Sequence, residues 1–380
     1  MSAISSLSSF PQNITLVQNS QNNIAKLTYQ VDTGLKSQDL QGYGTQANQL
    51  LNLQSGQTTE QNYVSNNTQT STYLSAYDST LGQIKGDASK LSASLDAFTV
   101  TDPTAVSNLQ ALVKALQVDV SATLNTQIGG RYLYGGTRYT TAPVGDLSAL
   151  PAPTFVVPAT TPPTVTPLTV ALLPAPVPQT TPTATPALPP YDAQAAAVNS
   201  PATPTAAEVA TATQSYATQT TAIADNQTTT YGISSNNPTF QHLIYALQNA
   251  QAAANTNTST QAGLDNQAAL IKQATSEIAI ALNGSPAVAA SAGPPAVSAV
   301  AAVDSLQSLQ DQNGTALLAV TSANTVHNQT LATLQSQIST ITQVDPATVA
   351  AELSAAQTQL EGSYKVVSSV LSETLLNYLK

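Results

Sequence analysis

Two apolar stripes, one near each end of the chain, constrain the fold more than any other feature of the sequence. In both stripes the apolar residues recur at spacings of three, four and seven, which places them on one face of a helix. Because such a face is unstable in water, the two stripes are expected to bury each other or to pack into copies of the same chain. The predicted assembly interface consists of Phe10, Ile14, Val17, Ile24, Val31, Leu35, Leu353, Leu360, Val367, Leu371 and Leu375, and Val349 and Ala356 belong to the same second stripe.

Helical patterns also fill most of the chain between the stripes. The most regular one runs from Leu74 to Phe98 at alternating steps of three and four residues, which favours coiled-coil-like packing. Glycine is expected to end the first helix, either at Gly34 or within residues 42–44. Helices are predicted over about residues 8–36, 46–98, 240–254, 264–282, 306–341 and 345–379.

Two Asp-Pro pairs predict helix starts. Asp102–Pro103 and Asp345–Pro346 each combine a residue type that caps a helix N-terminus with a proline suited to the first helical position. The helix after Asp102 is expected to carry apolar residues as far as Ile128 and to end at Gly129–Gly130.

The segment that follows breaks the helical pattern. Residues 131–139 are rich in tyrosine and glycine and predict two short strands around a glycine turn. From Pro143 to Pro204 the chain holds sixteen of its 23 prolines, which excludes long helices. Two structures fit this segment, a polyproline-like mobile insertion or a small β-rich domain with strands such as 154–157 and 168–173. Its clusters of Val and Leu favour the β-rich domain.

These patterns predict a mainly α protein. The expected architecture is an elongated, coiled-coil-like bundle of long helices from both termini, with a β-hairpin and a Pro/Thr-rich, β-rich central insertion. The predicted segments are a terminal helix (1–45), a helical layer with the hairpin (46–140), an exposed variable insertion (141–237), a helical layer with a small insertion at 283–302 (238–344) and a second terminal helix (345–380).

Charge and the lack of long apolar runs exclude two classes of partner, nucleic acid and membrane. Only 8% of the 380 residues are charged, and the net charge is −10. Nucleic acid is excluded as a partner because neutralising phosphates requires clustered Lys and Arg. No membrane insertion is expected, since no apolar run reaches the roughly 18 residues of a membrane span. Residues 1–19 have neither the basic region nor the apolar run of a secretory signal peptide.

The residue types do not predict an enzyme. The chain has no cysteine, and neither a phosphate loop, a nucleophile elbow nor the spacing of a metal site occurs. No catalytic residue, cofactor or metal is therefore expected. His242 and His327 are interpreted as buried or interfacial groups. The polar residues at apolar-face positions, Gln21, Asn313, Asn324 and His327, are expected to set helix register through hydrogen bonds.

Arg131 and Arg138 are the two basic residues that lie near the middle of the chain. They flank the glycine-rich turn, and two readings fit them equally: ion pairs with Asp or Glu of a neighbouring subunit, or simple solvent exposure.

Three segments carry a family resemblance. Residues 27–40 contain Thr-Gly-Leu-Lys after the first helix, residues 130–137 read Gly-Arg-Tyr-Leu-Tyr-Gly-Gly-Thr before the variable region, and residues 345–354 open a helix that closes on Leu-Leu-Asn-Tyr-Leu. The chain thereby resembles the bacterial flagellins and the related hook-filament junction proteins (hook-associated protein 3). The similarity covers about residues 1–140 and 238–380. The chain departs from flagellins in lacking their Asp pair and several arginines.

The resemblance implies an inner core of terminal helices lining a filament tube, a surrounding helical layer and an exposed variable domain. It implies that the chain polymerises with itself and that its other partners are hook-associated proteins, an export chaperone and the flagellar type III export apparatus. The implied location is the extracellular flagellum, reached without a cleaved signal peptide.

The function predicted from the sequence is therefore a structural subunit of the flagellar filament, used for motility. Within the family the alternative is the hook-filament junction protein, which the Tyr-Leu ending favours, whereas the large insertion favours the filament subunit. Outside the family the alternative is a surface adhesive fibre whose Thr/Pro-rich segment binds glycans.

Overall fold

The computed structural model describes residues 2–136, 140, 142–149, 218–287 and 302–378. In the first helix, side chains are described from Ile14 onward. In the last helix they are described as far as Ser369, and at Ser372. The predicted strands 154–157 and 168–173 lie outside the described residues, as does Arg138.

The described residues are mainly α-helical, which confirms the predicted fold class. Long helices pack against each other, accompanied by two small antiparallel hairpins, β1–β2 and β3–β4. The helices are α1 (Ser2–Thr33), α2 (Ala47–Asp96), α3 (Pro103–Leu124), α4 (Pro238–Asn255), α5 (Gln261–Asn283), α6 (Leu306–Thr342) and α7 (Pro346–Tyr378); the strands are β1 (Gln127–Ile128), β2 (Arg131–Tyr132), β3 (Gln219–Ala224) and β4 (Gln227–Tyr231).

Both Asp-Pro pairs begin helices as predicted. The Asp102 carboxylate accepts a hydrogen bond of 2.8 Å from the backbone N–H of Thr104, at the start of α3. Asp345 accepts from the Thr348 hydroxyl at 2.8 Å and from the backbone N–H of Ala347 at 3.1 Å, at the start of α7. The hydrogen bond from Thr348, followed by that from Ala347, lowers the pKa of the Asp345 carboxyl.

The first hairpin lies earlier in the chain than the sequence predicted. Helix α3 ends at Leu124, and Ile128, predicted as its last apolar position, lies in β1 opposite Arg131 of β2. Gly129 and Gly130 both have positive φ, 58° and 77°, and two consecutive residues of this kind form the tight turn that matches the twist of paired strands. The glycine pair is therefore the turn itself, and residues 133–135 form a short 3₁₀ turn instead of a strand.

The described chain consists of two compact units. Residues 1–64 and 325–380 form the terminal unit, and residues 65–324 form the central unit. The boundary falls inside α2 and α6.

The central unit contains the larger apolar core. The regular pattern predicted from Leu74 to Phe98 is buried as far as Leu95, with Phe98 partly buried at its end, and from Tyr77 onward it packs with the matching faces of α3, α4 and α5 in one core. Tyr134, which follows the first hairpin, is fully buried between two other rings. The ring centroids of Tyr134 and Tyr77 are 5.2 Å apart and those of Tyr134 and Phe240 are 5.4 Å apart, both edge to face. The glycine-rich segment thus anchors in the core rather than forming a free loop.

The second hairpin also belongs to the central unit. Ile223 of β3 is buried with Leu74, Val320 and Ala323. The amide of Asn67, itself fully buried, donates a hydrogen bond of 2.9 Å to the Ile223 carbonyl. The end of the segment predicted as an exposed insertion therefore packs on helices. A backbone bridge between Ser285 and Val303 likewise closes the base of the smaller insertion.

The central unit is expected to lose stability in alkali. Burial raises the pKa of Tyr77, Tyr134 and Tyr245, that of Tyr245 to about 12 from an ordinary 10.0. The stability held by the neutral phenols is fully present below pH 10 and is lost as the pH rises toward the folded-state pKa, because only the unfolded chain ionises there. Urea unfolding followed by circular dichroism should show this decline between pH 9 and 12, and Tyr245→Phe should reduce it by about 2 kcal/mol. If stability falls equally with pH in Tyr245→Phe, the raised pKa of Tyr245 is not a cause of the decline.

Candidate assembly interface

Helices α1 and α7 pack against each other in the terminal unit. Leu27, Val349 and Ala356 are buried at the centre of their contact. Four further apolar residues of the same contact are partly buried, namely Ile24, Val31, Val344 and Leu353. The two stripes predicted from the sequence thus meet within one chain over this part of their length.

A glycine and a short backbone bridge fix the end of this contact. Gly34 ends α1 with φ at 69°, a conformation that favours glycine. Beyond it Leu35 bridges Gln343 in antiparallel fashion, with hydrogen bonds from Lys36 N to the Thr342 carbonyl at 2.7 Å and from Val344 N to the Gly34 carbonyl at 2.9 Å. Because both chain segments are tied here, α1 and α7 start from a fixed register.

The two helices run antiparallel from this bridge. Gln21, earlier on α1, donates a hydrogen bond of 2.7 Å to the hydroxyl of Tyr364, further along α7. Gln21 is one of the polar residues that the sequence assigned to register. Its partner could not be identified from periodicity, because spacing shows which residues share one face of a helix but not which residue of another helix they contact.

Apolar side chains are more exposed beyond the buried part of the contact. Ile14 is 42% exposed and Leu16 61% on α1, and Tyr364 is 47% and Val366 58% exposed on α7. Val17, Leu360 and Val367 of the predicted interface are half-buried. Phe10, Leu371 and Leu375 lie within α1 and α7, but their side chains lie outside the described residues. The terminal pair therefore buries apolar side chains near the bridge and leaves apolar side chains exposed on both helices further along.

Arg131 lies in the central unit, away from these helices in sequence. Its guanidinium carbon is 5.6 Å from the ring centroid of Tyr73, within the range of a cation–π contact. Tyr73 could not be identified as its partner from the sequence, because the two residues are brought together by the fold of the first hairpin onto α2. The predicted intersubunit ion pair of Arg131 stays a prediction.

Both histidines pair with a glutamate. In the central unit, His242 Nδ1 lies 2.5 Å from Glu277 Oε2, and Gln273 donates to the other carboxylate oxygen at 2.9 Å. In the terminal unit, His327 Nδ1 hydrogen-bonds Glu60 Oε2, and Tyr63 stacks on the imidazole with a centroid distance of 4.9 Å. The sequence interpretation of both histidines as buried or interfacial agrees with these positions.

These polar groups link one helix to another. Among the described residues, no group of three or more His, Cys, Asp or Glu side chains is placed to hold a metal ion. No helix in the described part of the chain is long and apolar enough to cross a membrane.

Comparison with known proteins finds similarity among solved structures. No family model matches the sequence, and neither does any curated protein. A solved structure of a Vibrio parahaemolyticus protein, provisionally named a flagellar hook-associated protein, is similar over 78% of this chain and 96% of that one. The sequence identity is 11% and the TM-score 0.43. At this TM-score the two folds differ too much for that protein's role to be carried over to this chain.

Proposed function

We propose that this chain is a structural subunit of the bacterial flagellar filament, which polymerises with copies of itself through α1 and α7. The observation that carries the proposal is that α1 and α7 cover each other's apolar side chains over only part of their length. Leu27, Val349 and Ala356 are covered within the chain, whereas Ile14 of the predicted stripe is 42% exposed, and Leu16 and Val366, beside the stripes, are more than half exposed on the same two helices.

Apolar surface on the terminal helices supplies a driving force for assembly. Burying one exposed Leu, Ile or Val side chain contributes about 1.5–3 kcal/mol. A subunit in a helical array repeats each such contact with several neighbours. The exposed side chains of the terminal helices therefore suit association between copies.

The scarcity of charge on these helices lowers the cost of that burial. Between Ser2 and Thr33, helix α1 carries one basic residue, Lys26, and one acidic residue, Asp32. Amides and hydroxyls can be buried at lower desolvation cost than charges if they are hydrogen-bonded, as Gln21 is to Tyr364. The surface composition is thus compatible with close packing between identical helices.

The remaining parts of the proposal follow the sequence resemblance to flagellins. We propose export through the flagellar type III apparatus with a chaperone, contact with hook-associated proteins, and an extracellular location in the flagellum. We also propose a mechanical rather than a catalytic role. In its support, each histidine–glutamate pair joins two helices of the same unit.

Seeded polymerisation tests the proposal. Purified full-length protein is incubated at high concentration with short filament fragments and examined by electron microscopy, with bovine serum albumin at the same concentration as the negative control. We expect long helical filaments of flagellar width that grow from the seeds.

Other outcomes assign other functions. Growth that stops after a short cap would favour the hook-filament junction protein. Absence of growth, together with labelling of non-flagellar fibres on cells by a specific antibody, would overturn the flagellar proposal in favour of an adhesive fibre.

A further inference from the structure

The chain enters and leaves its central segment, residues 137–218, at neighbouring points of the central unit. Gly136 directly precedes this segment, and Gln219, the first residue of β3, directly follows it. The side-chain amide of Gln219 donates a hydrogen bond of 3.3 Å to the Gly136 carbonyl, across 83 positions of the chain. The backbone N–H of Ser235 likewise donates to the Tyr134 carbonyl at 2.9 Å. The residues that flank the central segment therefore lie against each other.

One side chain of α2 contacts the backbone on both sides of the central segment. The hydroxyl of Tyr77 donates a hydrogen bond to the carbonyl of Leu133, which precedes that segment. Burial raises the pKa of Tyr77, and a hydrogen bond from the backbone N–H of Ile233, which follows the segment, opposes this rise. One neutral phenol thus serves two stretches of backbone, as donor to the first and as acceptor from the second.

The position of this hydroxyl is fixed by its surroundings. The ring of Tyr77 meets that of Tyr134 edge to face. Gly232, whose φ of 97° favours glycine, leads the chain from β4 to Ile233, and a Cβ built on it would lie 3.7 Å from the Tyr77 hydroxyl oxygen. Tyr77 is 4% exposed and Leu133 5%. The phenol therefore takes the place of water as the partner of the Leu133 carbonyl.

Arg131 supplies a second contact between the two flanking stretches. Its guanidinium carbon lies 5.6 Å from the ring centroid of Tyr73, one turn before Tyr77 on α2. Burial raises the pKa of Tyr231 in β4, and the charge of Arg131 opposes this rise, which places the cation near that tyrosine as well. The Tyr231 hydroxyl in turn donates to Gln219 at 3.0 Å. The two hairpins thus meet at tyrosines of α2 and β4.

We propose that the Tyr77 hydroxyl links the two ends of the central segment to each other and to α2, with Arg131 as a secondary link. A tyrosine suits this role because its hydroxyl both donates and accepts, whereas phenylalanine fills the same space and does neither. Without the hydroxyl, the Leu133 carbonyl and the Ile233 N–H lose their shared partner, which favours local opening on both sides. The link acts within one chain and does not depend on the proposed assembly.

Hydrogen exchange of the full-length protein, followed by mass spectrometry at neutral pH, tests the proposal with Tyr77→Phe. This change keeps the ring and removes only the hydroxyl. Exchange rates in peptides 126–136 and 229–235 are expressed relative to those in α3, so that a uniform loss of stability cancels. Both peptides should exchange about ten-fold faster than in the parent chain, as expected from the loss of a buried hydrogen bond at each site.

Tyr134→Phe is the matched control. It also removes one buried hydroxyl from the same core, but the partner of that hydroxyl is Thr80 of α2, at 2.7 Å. Thr80 keeps a hydrogen bond of 2.8 Å to the Ala76 carbonyl. Relative exchange in peptide 229–235 should therefore stay as in the parent. Parent-like exchange of both peptides in Tyr77→Phe would overturn the proposal, and so would faster exchange of peptide 126–136 alone.

Arg131→Met tests the secondary link and serves in place of Tyr77→Phe if that variant loses its helical circular dichroism. The change removes the charge and keeps a side chain of similar length. Peptide 229–235 should exchange about three-fold faster, in line with the loss of a partly exposed cation–π contact. Lys114→Met removes an exposed cation from α3 and should leave this peptide unchanged. Equal exchange in the two methionine variants would overturn the role given to Arg131.

Discussion

Leu27→Asp is expected to abolish growth of filaments from seeds while the central unit stays folded. Leu27 is 5% exposed and packs with Val349 and Ala356 between α1 and α7. The substitution removes a buried leucine and leaves a carboxylate with no described cation in this apolar contact, at a cost of about 3–5 kcal/mol. The terminal helices should separate, and the apolar surface proposed for assembly would lose its defined geometry.

Thr28→Asp is the matched control for this prediction. It places the same charge on the next residue of α1, where the side chain is exposed, so growth should continue. Elongation is measured by electron microscopy of seeded samples, and limited proteolysis followed by mass spectrometry shows whether the central unit, residues 65–324, stays folded. Equal growth of the two variants would show that the α1–α7 contact is not required for assembly.

Phe240→Ala is expected to cause the largest loss of stability in the central unit, about 3–5 kcal/mol. Phe240 is fully buried at the start of α4, and its ring meets Tyr134 edge to face. Truncation removes this contact and leaves a cavity beside Tyr134, which in turn packs on Tyr77. The first hairpin, which Tyr134 anchors, should therefore loosen together with α4.

Urea unfolding followed by circular dichroism measures this loss. Phe98→Ala is the comparison, because Phe98 is only partly buried at the edge of the same core and should cost less than half as much. If Phe240→Ala lowers the free energy of unfolding no more than Phe98→Ala does, Phe240 is not a main contributor to the stability of this core.

Local patterns predicted the helices of this protein well, for a reason that particular residues illustrate. Asp102 and Asp345 cap the helices they precede, because a capping carboxylate bonds the backbone two or three residues ahead and needs no distant partner. The buried face from Leu74 to Leu95 follows the three-four spacing, because helix geometry alone puts those residues on one side.

The glycine pair Gly129–Gly130 shows where local pattern failed. Glycine both ends helices and forms tight turns, so its presence did not distinguish a helix end at Ile128 from a hairpin centred on the pair itself. Only the tertiary structure distinguishes the two: the chain reverses at the pair, with Ile128 opposite Arg131, and Tyr134 then packs in the core against Tyr77 and Phe240.

The sequence by itself determined which faces of the helices are apolar, where the helices begin and that both termini carry complementary stripes. The tertiary structure alone decided which residues cover those faces: Tyr364 for Gln21, Glu60 for His327, Glu277 for His242 and Tyr73 for Arg131. Periodicity depends on neighbours within a few residues along one helix, whereas these partners lie far apart in sequence. Their pairing depends on how whole helices align, which no local spacing encodes.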